Sequence, residues 1–186
     1  MGRFQFEATA ISGLWSVRRT RLEDGRGFLD RLFCTAEFSG VGWQGPVAQI
    51  NHSYTRQRGT VRGLHFQHSP YAEDKLVSCL RGDVFDVAVD LRQGSPTLLR
   101  WHGELLSASN GRALLIPRGF AHGFQALSAD CELLYLHSSP YVQQAEGALN
   151  ARDPQLGIDW PLPITELSAR DASHPLLDGG YGGIRT

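Results

Sequence analysis

The sequence predicts an all-β protein built as an antiparallel sandwich or barrel. Short apolar or alternating segments recur about every ten residues, and clusters of turn-forming residues separate them. No long stretch between these segments has the 3.6-residue periodicity of an amphipathic helix. The chain has 186 residues, of which 41% are hydrophobic and 20% charged, so we expect one domain spanning 1–186.

The central strands are predicted at 47–54, 61–67, 75–80, 84–91, 112–116 and 133–136. Glycine, asparagine and proline break the pattern between them, as at 93–96 and 109–111. Short helices are expected only around 32–38 and 165–171. We expect the first forty residues and the proline-rich tail to pack as arms on the barrel, and the glycine-rich stretch 179–183 to fray.

Alternation along these strands places several polar side chains on one side. Asp86 lies on the polar face of its strand, His65 shares a face with Gln67, and Tyr135 shares one with His137. Two interpretations remain open at this point. The polar residues could form a solvated outer face, as is common in antiparallel sheets, or line a polar cavity inside a small barrel.

Charge and cysteine content restrict the class of protein. With 18 basic and 19 acidic residues and no basic block, nucleic-acid binding is not expected as the main role. No apolar run is long enough to cross a membrane, and the first seven residues lack the apolar centre of a signal peptide. Cys34, Cys79 and Cys131 form no CxxC pair, which favours a reducing compartment without structural zinc. We therefore expect a cytoplasmic protein.

Lys75 is the only lysine among the 18 basic residues. One interpretation is that it is a surface residue left over in an arginine-biased composition. The other is that it acts as a compact ammonium charge aimed at one developing oxyanion, which the planar guanidinium of arginine does not reproduce.

The segment 117–122, ending in His122, resembles the second half-motif of the cupin jelly rolls, in which the turn carries a histidine into the barrel mouth. Many cupins hold a metal with a paired H-x-H motif. Here His65 and His68 are three residues apart, so on a strand they point to opposite faces, and no metal is expected. A metal-dependent cupin oxygenase using His65, Glu73 and His122 remains an alternative from another class.

Successive blocks resemble the dTDP-4-dehydrorhamnose 3,5-epimerases, which are metal-free cupins. The blocks are RGLHFQ (62–67), KLV (75–77), GDVFDVAVDLR (82–92), SPT (95–97), IPRGFAHGF (116–124), LY (134–135), SPY (139–141), DP (153–154), IDWP (158–161) and LSARD (167–171). The resemblance runs from about residue 25 to 171. It implies a cupin double-stranded β-helix, or jelly roll, with an N-terminal arm of strands and short C-terminal helices.

The resemblance implies cofactor-independent inversion of C3 and C5 in dTDP-4-dehydro-6-deoxy-D-glucose. Both carbons flank the C4 ketone, so each inversion removes a proton to give an enolate and reprotonates it from the opposite face. His65 matches the base, Asp171 the carboxylate that orients it, Tyr135 the acid, and Lys75 the cation beside the enolate oxygen. Asp86 could also contact His65, and the residues alone do not rank Asp86 against Asp171.

The same resemblance implies a nucleotide-sugar site. Arg26 would meet the diphosphate and Phe28 would pack on thymine, in an arm usually offered by the neighbouring subunit, so we expect a homodimer. Further substrate contacts are expected at Gln49, Asn51, Arg62, His122 and Tyr141.

The sequence departs from the family pattern in two places. Leu29 and Arg31 stand where the family's arm has Phe and Glu, which puts base specificity in question. Glu73 and Asp74 precede Lys75 and could neutralise it, although alternation turns Asp74 away. Two alternative functions follow: a relative that inverts only C3 in another deoxysugar pathway, and a sugar-nucleotide-binding or regulatory cupin without turnover.

Overall fold

The computed structural model describes residues 2–186 and has thirteen strands in that range. The strands are β1 (Phe4–Ala8), β2 (Trp15–Arg19), β3 (Leu22–Asp24), β4 (Gly27–Leu29), β5 (Gln49–Thr55), β6 (Val61–Gln67), β7 (Lys75–Arg81), β8 (Asp83–Asp90), β9 (Trp101–Ser107), β10 (Arg112–Ile116), β11 (Phe120–Ala126), β12 (Cys131–His137) and β13 (Glu146–Ala148). The helices are α1 (Thr35–Phe38), α2 (Ala169–Ala172) and the 3₁₀ turns Ser39–Val41 and Gln143–Ala145. None of the helices in this range has the length and apolarity to span a membrane.

Two antiparallel sheets face each other. The first has six strands in the order β1-β2-β10-β7-β12-β5, and the second has five in the order β13-β6-β11-β8-β9. Strands β3 and β4 pair only with each other, as a separate hairpin. The all-β jelly-roll prediction is confirmed, and β6 and β10 have the predicted bounds.

Apolar side chains fill the space between the sheets and also cover both outer faces. Val77 of the first sheet and Phe124 of the second lie in the cluster between the sheets. On the outer face of the second sheet, Val87 and Val89 pack under the C-terminal segment. On the outer face of the first, Leu76 packs with residues that precede β5. The terminal segments are therefore arms on a barrel, as the sequence predicts.

The structure differs from two expectations about the C-terminal part of the chain. In the glycine-rich stretch 179–183, Tyr181 packs on the outer cluster of the second sheet, and Ile184, which follows the stretch, is buried there and its amide donates to the Leu91 carbonyl at 2.6 Å. The helix expected at 165–171 is instead the single turn α2. It begins after Ser168, whose hydroxyl accepts a hydrogen bond from the Asp171 amide and so caps the turn.

Candidate active site

A cavity of about 750 Å³ opens between the two sheets. Strands β5, β7 and β12 of the first sheet and β6 and β11 of the second line it, together with residues of the segment 166–171. His65, Gln67, Tyr135 and His137 are all in its wall. The polar residues of the alternating strands therefore line a cavity and do not form a solvated outer face.

His65 on β6 faces Asp171 on α2, with Nε2 and Oδ1 2.8 Å apart. The cap from Ser168 fixes the turn that presents Asp171, and the Gly63 amide lies 3.5 Å from the other carboxylate oxygen. Of the two carboxylates left open by the sequence, the structure thus pairs Asp171 with His65. Asp86 instead contacts His122, with 2.7 Å between Oδ1 and Nε2.

The close approach of β6 and β11 depends on glycine. A Cβ atom at Gly63 would lie 2.5 Å from the Cα of Gly123, and Gly63 has a φ of +121°, which side-chain-bearing residues rarely adopt. This packing places His65 directly opposite His122 in the register of the two strands. Substitution at Gly63 would therefore move the strand that carries His65.

The environment of His65 sets its charge state. Burial lowers the pKa of His65, and the hydrogen bond and charge of Asp171 offset only part of that effect. Burial alone would raise the pKa of Asp171, but the hydrogen bond from His65 and the nearby Gly63 amide hold it below its usual value. At neutral pH the pair is a neutral imidazole beside a carboxylate, which is the state a general base requires.

Lys75 begins β7 and lies in the wall of the cavity, with only 10% of its side chain exposed. The interpretation as a surface residue is therefore wrong. Its Nζ lies 2.9 Å from Glu73 Oε1 and 3.3 Å from the His65 carbonyl oxygen. Asp74 turns away, as alternation predicts, and accepts a hydrogen bond from the Gln44 amide.

Tyr135 lies on β12, in the sheet opposite the one that carries His65. Its hydroxyl lies 3.2 Å from Ser53 Oγ. Burial raises the pKa of Tyr135, so the phenol keeps its proton at neutral pH. A neutral base and a protonated acid thus belong to opposite walls of one cavity.

His122 lies inside strand β11, two residues after its start, and it lines the cavity, as expected from the family resemblance. The residue is buried and packs edge-on against Tyr135, with ring centroids 5.9 Å apart. Burial raises the pKa of its partner Asp86, and the charge of His122 counteracts this.

Four of the other residues expected to bind substrate also line the cavity: Gln49, Asn51, Arg62 and Tyr141. The Arg62 guanidinium is held by the Thr55 hydroxyl at 3.0 Å and the Tyr54 carbonyl at 3.1 Å. The Gln49 side chain donates to Asn51 at 3.0 Å. These bonds orient polar groups along the edge of the first sheet, where β5 is the last strand.

Arg26 and Phe28 do not join the cavity of their own chain. Both lie on the β3–β4 hairpin, where Phe28 is 61% exposed and Arg26 forms an exposed pair with Asp24 at 2.6 Å. Arg31, on the segment that follows, lies 3.9 Å from Glu37. The guanidinium of Arg21 packs over one face of the Phe28 ring, with its central carbon 4.5 Å from the ring centre.

Besides Glu166, sequence reasoning missed two charged residues of the cavity wall, Glu146 and Arg170. They form an ion pair at 2.5 Å, and the Tyr141 hydroxyl donates to Glu146 at 2.9 Å. Arg170 could have been found from its place beside Asp171. Glu146, on the short strand β13, has no signal in the sequence.

The three residues of the metal-dependent alternative have separate partners: His65 contacts Asp171, Glu73 contacts Lys75 and His122 contacts Asp86. Within residues 2–186, no group of three or more His, Cys, Asp or Glu side chains has an arrangement able to hold a metal ion.

Comparison with known proteins shows which family the chain resembles. The family model described as dTDP-4-dehydrorhamnose 3,5-epimerase matches residues 8–179. The chain is 44% identical over 172 residues to the dTDP-4-dehydrorhamnose 3,5-epimerase of Salmonella typhimurium, covering 91% of this chain and 93% of that one. It is 41% identical to a dTDP-4-dehydrorhamnose 3-epimerase of Streptomyces niveus, covering 90% and 81%.

Among solved structures, the dTDP-6-deoxy-D-glucose-3,5-epimerase of Legionella pneumophila in complex with dTDP-4-keto-L-rhamnose superposes with a TM-score of 0.90 at 39% identity. The match covers 98% of each chain. Sequence and structure thus agree over nearly the full length, and the chain belongs to the dTDP-4-dehydrorhamnose 3,5-epimerase family.

Proposed function

We propose that this protein epimerises dTDP-4-dehydro-6-deoxy-D-glucose at C3 and C5 to give dTDP-4-dehydro-L-rhamnose, without a cofactor. The observation that carries the proposal is the placement of a His–Asp pair and a protonated tyrosine on opposite walls of one cavity, with a lysine in the same cavity on the strand next to that of the tyrosine. Inversion at a carbon next to a ketone requires a base on one face, an acid on the other and a cation at the enolate oxygen.

His65 takes the proton from C3 or C5, and the electron pair of the broken C–H bond moves into the enolate, whose oxygen is at C4. Asp171 stabilises the imidazolium that forms. Tyr135 then gives its proton to the same carbon from the opposite face, and solvent restores both groups before the second inversion. Lys75 directs its ammonium at the enolate oxygen and neutralises the developing charge.

The nucleotide would bind between two subunits of a homodimer. Arg62, Gln49 and Asn51 line the open edge of the cavity, whereas Arg26 and Phe28 stand exposed on a hairpin outside it. An exposed aromatic ring and an arginine on a projecting hairpin suit a second chain's site, where the ring would stack on the base and the guanidinium would meet the diphosphate. A cytoplasmic location is part of the same proposal, and the three free cysteines support it.

Inversion of C3 alone is the second candidate. It is favoured by the similarity to the 3-epimerase of Streptomyces niveus, at 41% identity. The two activities share the base and the enolate formed by loss of the C3 proton, so they differ in whether C5 also reaches His65 and the opposing acid.

Proton NMR of the keto-sugar nucleotide incubated with the protein in heavy water tests both candidates. We expect deuterium to replace hydrogen at C3 and at C5, with formation of the rhamno product. Exchange at C3 alone would assign the protein to the 3-epimerases, and exchange at neither carbon would reject an epimerase.

A further inference from the structure

Lys75 is one end of a chain of hydrogen-bonded polar groups in the cavity wall. The Val142 amide donates to the Gln67 side-chain oxygen at 2.7 Å, and the Gln67 amide donates to Glu73 Oε2. The other oxygen of Glu73 accepts from Lys75 Nζ at 2.9 Å. Gln67, Glu73 and Lys75 are all buried, so the carboxylate has a fixed place between an amide and an ammonium.

This arrangement uses two of the three donors that a lysine ammonium carries. One goes to Glu73 and one to the His65 carbonyl oxygen, 3.3 Å away. Those are the partners of Nζ within residues 2–186, and because Lys75 lines the cavity, its third N–H is left for a group bound there.

We propose that Glu73 is a positioning residue that fixes the ammonium of Lys75, so that its remaining N–H points at the oxygen at C4 of the keto sugar. The proposal rests on the function proposed above and assigns to Glu73 a role in that reaction. Glu73 acts through Lys75, and this positioning role depends on Glu73 Oε1, which accepts the hydrogen bond from Lys75 Nζ.

The state of His137, the other basic side chain near Glu73, supports Lys75 as the partner of the carboxylate. His137 Nδ1 is 4.0 Å from the same Glu73 oxygen. Burial, followed by the charge of Lys75, lowers the pKa of His137 to about 4, so His137 is neutral at neutral pH. The Glu73 carboxylate therefore has one cationic neighbour in the cavity wall, and the lysine has one anion to hold it.

The alternative is that Glu73 only stabilises the fold. Removal of a buried carboxylate would then lower stability without a specific effect on turnover. Asp74 provides the matched control, because it is the adjacent buried carboxylate and bonds to the Gln44 and Arg118 amides instead of to Lys75.

The experiment compares Glu73→Ala, Glu73→Gln and Asp74→Asn with the native protein by NMR assay of the keto-sugar nucleotide. For Glu73→Ala we expect kcat to fall at least about tenfold with KM within about threefold, because a loosely held ammonium meets the enolate less often. Glu73→Gln keeps an acceptor oxygen and is expected to recover most of kcat. Asp74→Asn is expected to keep native kcat even where its melting temperature falls.

A double-mutant cycle supplies the decisive readout. In a Lys75→Met background, Glu73→Ala should change kcat less than about twofold, because a residue that acts through Lys75 has nothing left to position. A folded Glu73→Ala variant with native kcat, a Glu73→Gln variant as slow as Glu73→Ala, or full additivity with Lys75→Met would each overturn the proposal. Deuterium exchange by the native protein is measured first, so failure of the epimerase proposal is recognised separately.

Discussion

Substitution of Lys75 by arginine tests the catalytic role of this residue while keeping its charge. Removal of the charge by methionine would leave Glu73 buried without a cation, and breaking a buried pair costs about 3–5 kcal/mol of folding free energy. Arginine avoids that penalty because it still pairs with Glu73. The comparison therefore isolates the shape of the cation from its charge.

The size of the effect follows from the contacts of Nζ. Glu73 and the His65 carbonyl would engage two N–H groups of a planar guanidinium, and its plane would then be fixed by the protein and not by the enolate oxygen. Loss of one well-placed oxyanion donor reduces kcat by about 10²–10³-fold, or ~2.7–4 kcal/mol of transition-state stabilisation. Because the positive charge of arginine remains near the enolate oxygen, we expect a loss in kcat at the lower end of this range, about 10²-fold.

The assay is the initial rate of keto-sugar conversion at saturating substrate, followed by NMR, with a thermal melt to show that the variant is folded. Arg81→Lys is the matched control, because Arg81 ends the same strand, is exposed and lies 3.6 Å from Glu132. This control is expected to keep native kcat. A folded Lys75→Arg variant within about threefold of native kcat would refute the proposed role of Lys75.

Three further predictions concern the base, the acid and the hairpin. Asp171 raises the pKa of His65, so Asp171→Asn should lower that pKa further, move the acid limb of the pH profile of kcat/KM to lower pH and reduce the plateau value of kcat/KM about 10²–10⁴-fold. An acid limb that does not move would contradict the pairing of Asp171 with His65. Tyr135→Phe should slow inversion about 10²-fold or more while His65 still exchanges the C3 and C5 hydrogens with heavy water, and an equal loss of exchange and inversion would remove Tyr135 from the role of acid. The Arg26→Ala and His65→Ala variants should each be weakly active alone and regain activity when they are unfolded and refolded together, because one site of the mixed dimer combines a native His65 from one chain with a native Arg26 from the other. If mixed dimers form without recovery of activity, the hairpin does not contribute to the partner's cavity.

Strand prediction succeeded where residues alternate or form a short apolar run, and it failed where they do neither. Strands β6 and β10 have the predicted bounds, whereas β11 was missed although its seven residues are all buried. Its small and polar residues, Gly123 and Gln125 among them, give neither alternation nor an apolar run. Both faces of β11 are covered, so no polar face marks it, and its small and polar residues interrupt the apolar run by which a strand buried on both faces is otherwise recognised.

Local sequence patterns also fail to predict contacts in the site between residues that are far apart in the chain. His65 and Asp171 are 106 residues apart, and no periodicity connects them, so only family resemblance could bring them together. The Glu73–Lys75 pair, by contrast, follows from two-residue spacing and was weighed from the sequence. The contact between Glu146 and Arg170 depends on where β13 and α2 meet in the fold, and local sequence does not encode that.

The central claim is that His65 removes the hydrogens at C3 and C5 of a dTDP-4-keto-6-deoxyhexose. Deuterium incorporation from heavy water, measured by NMR for the native protein and for His65→Ala side by side, tests it most directly. We predict incorporation at both carbons by the native protein and a rate at least about 10²-fold lower for the variant. Exchange by folded His65→Ala at the native rate, or none by the native protein, would contradict it.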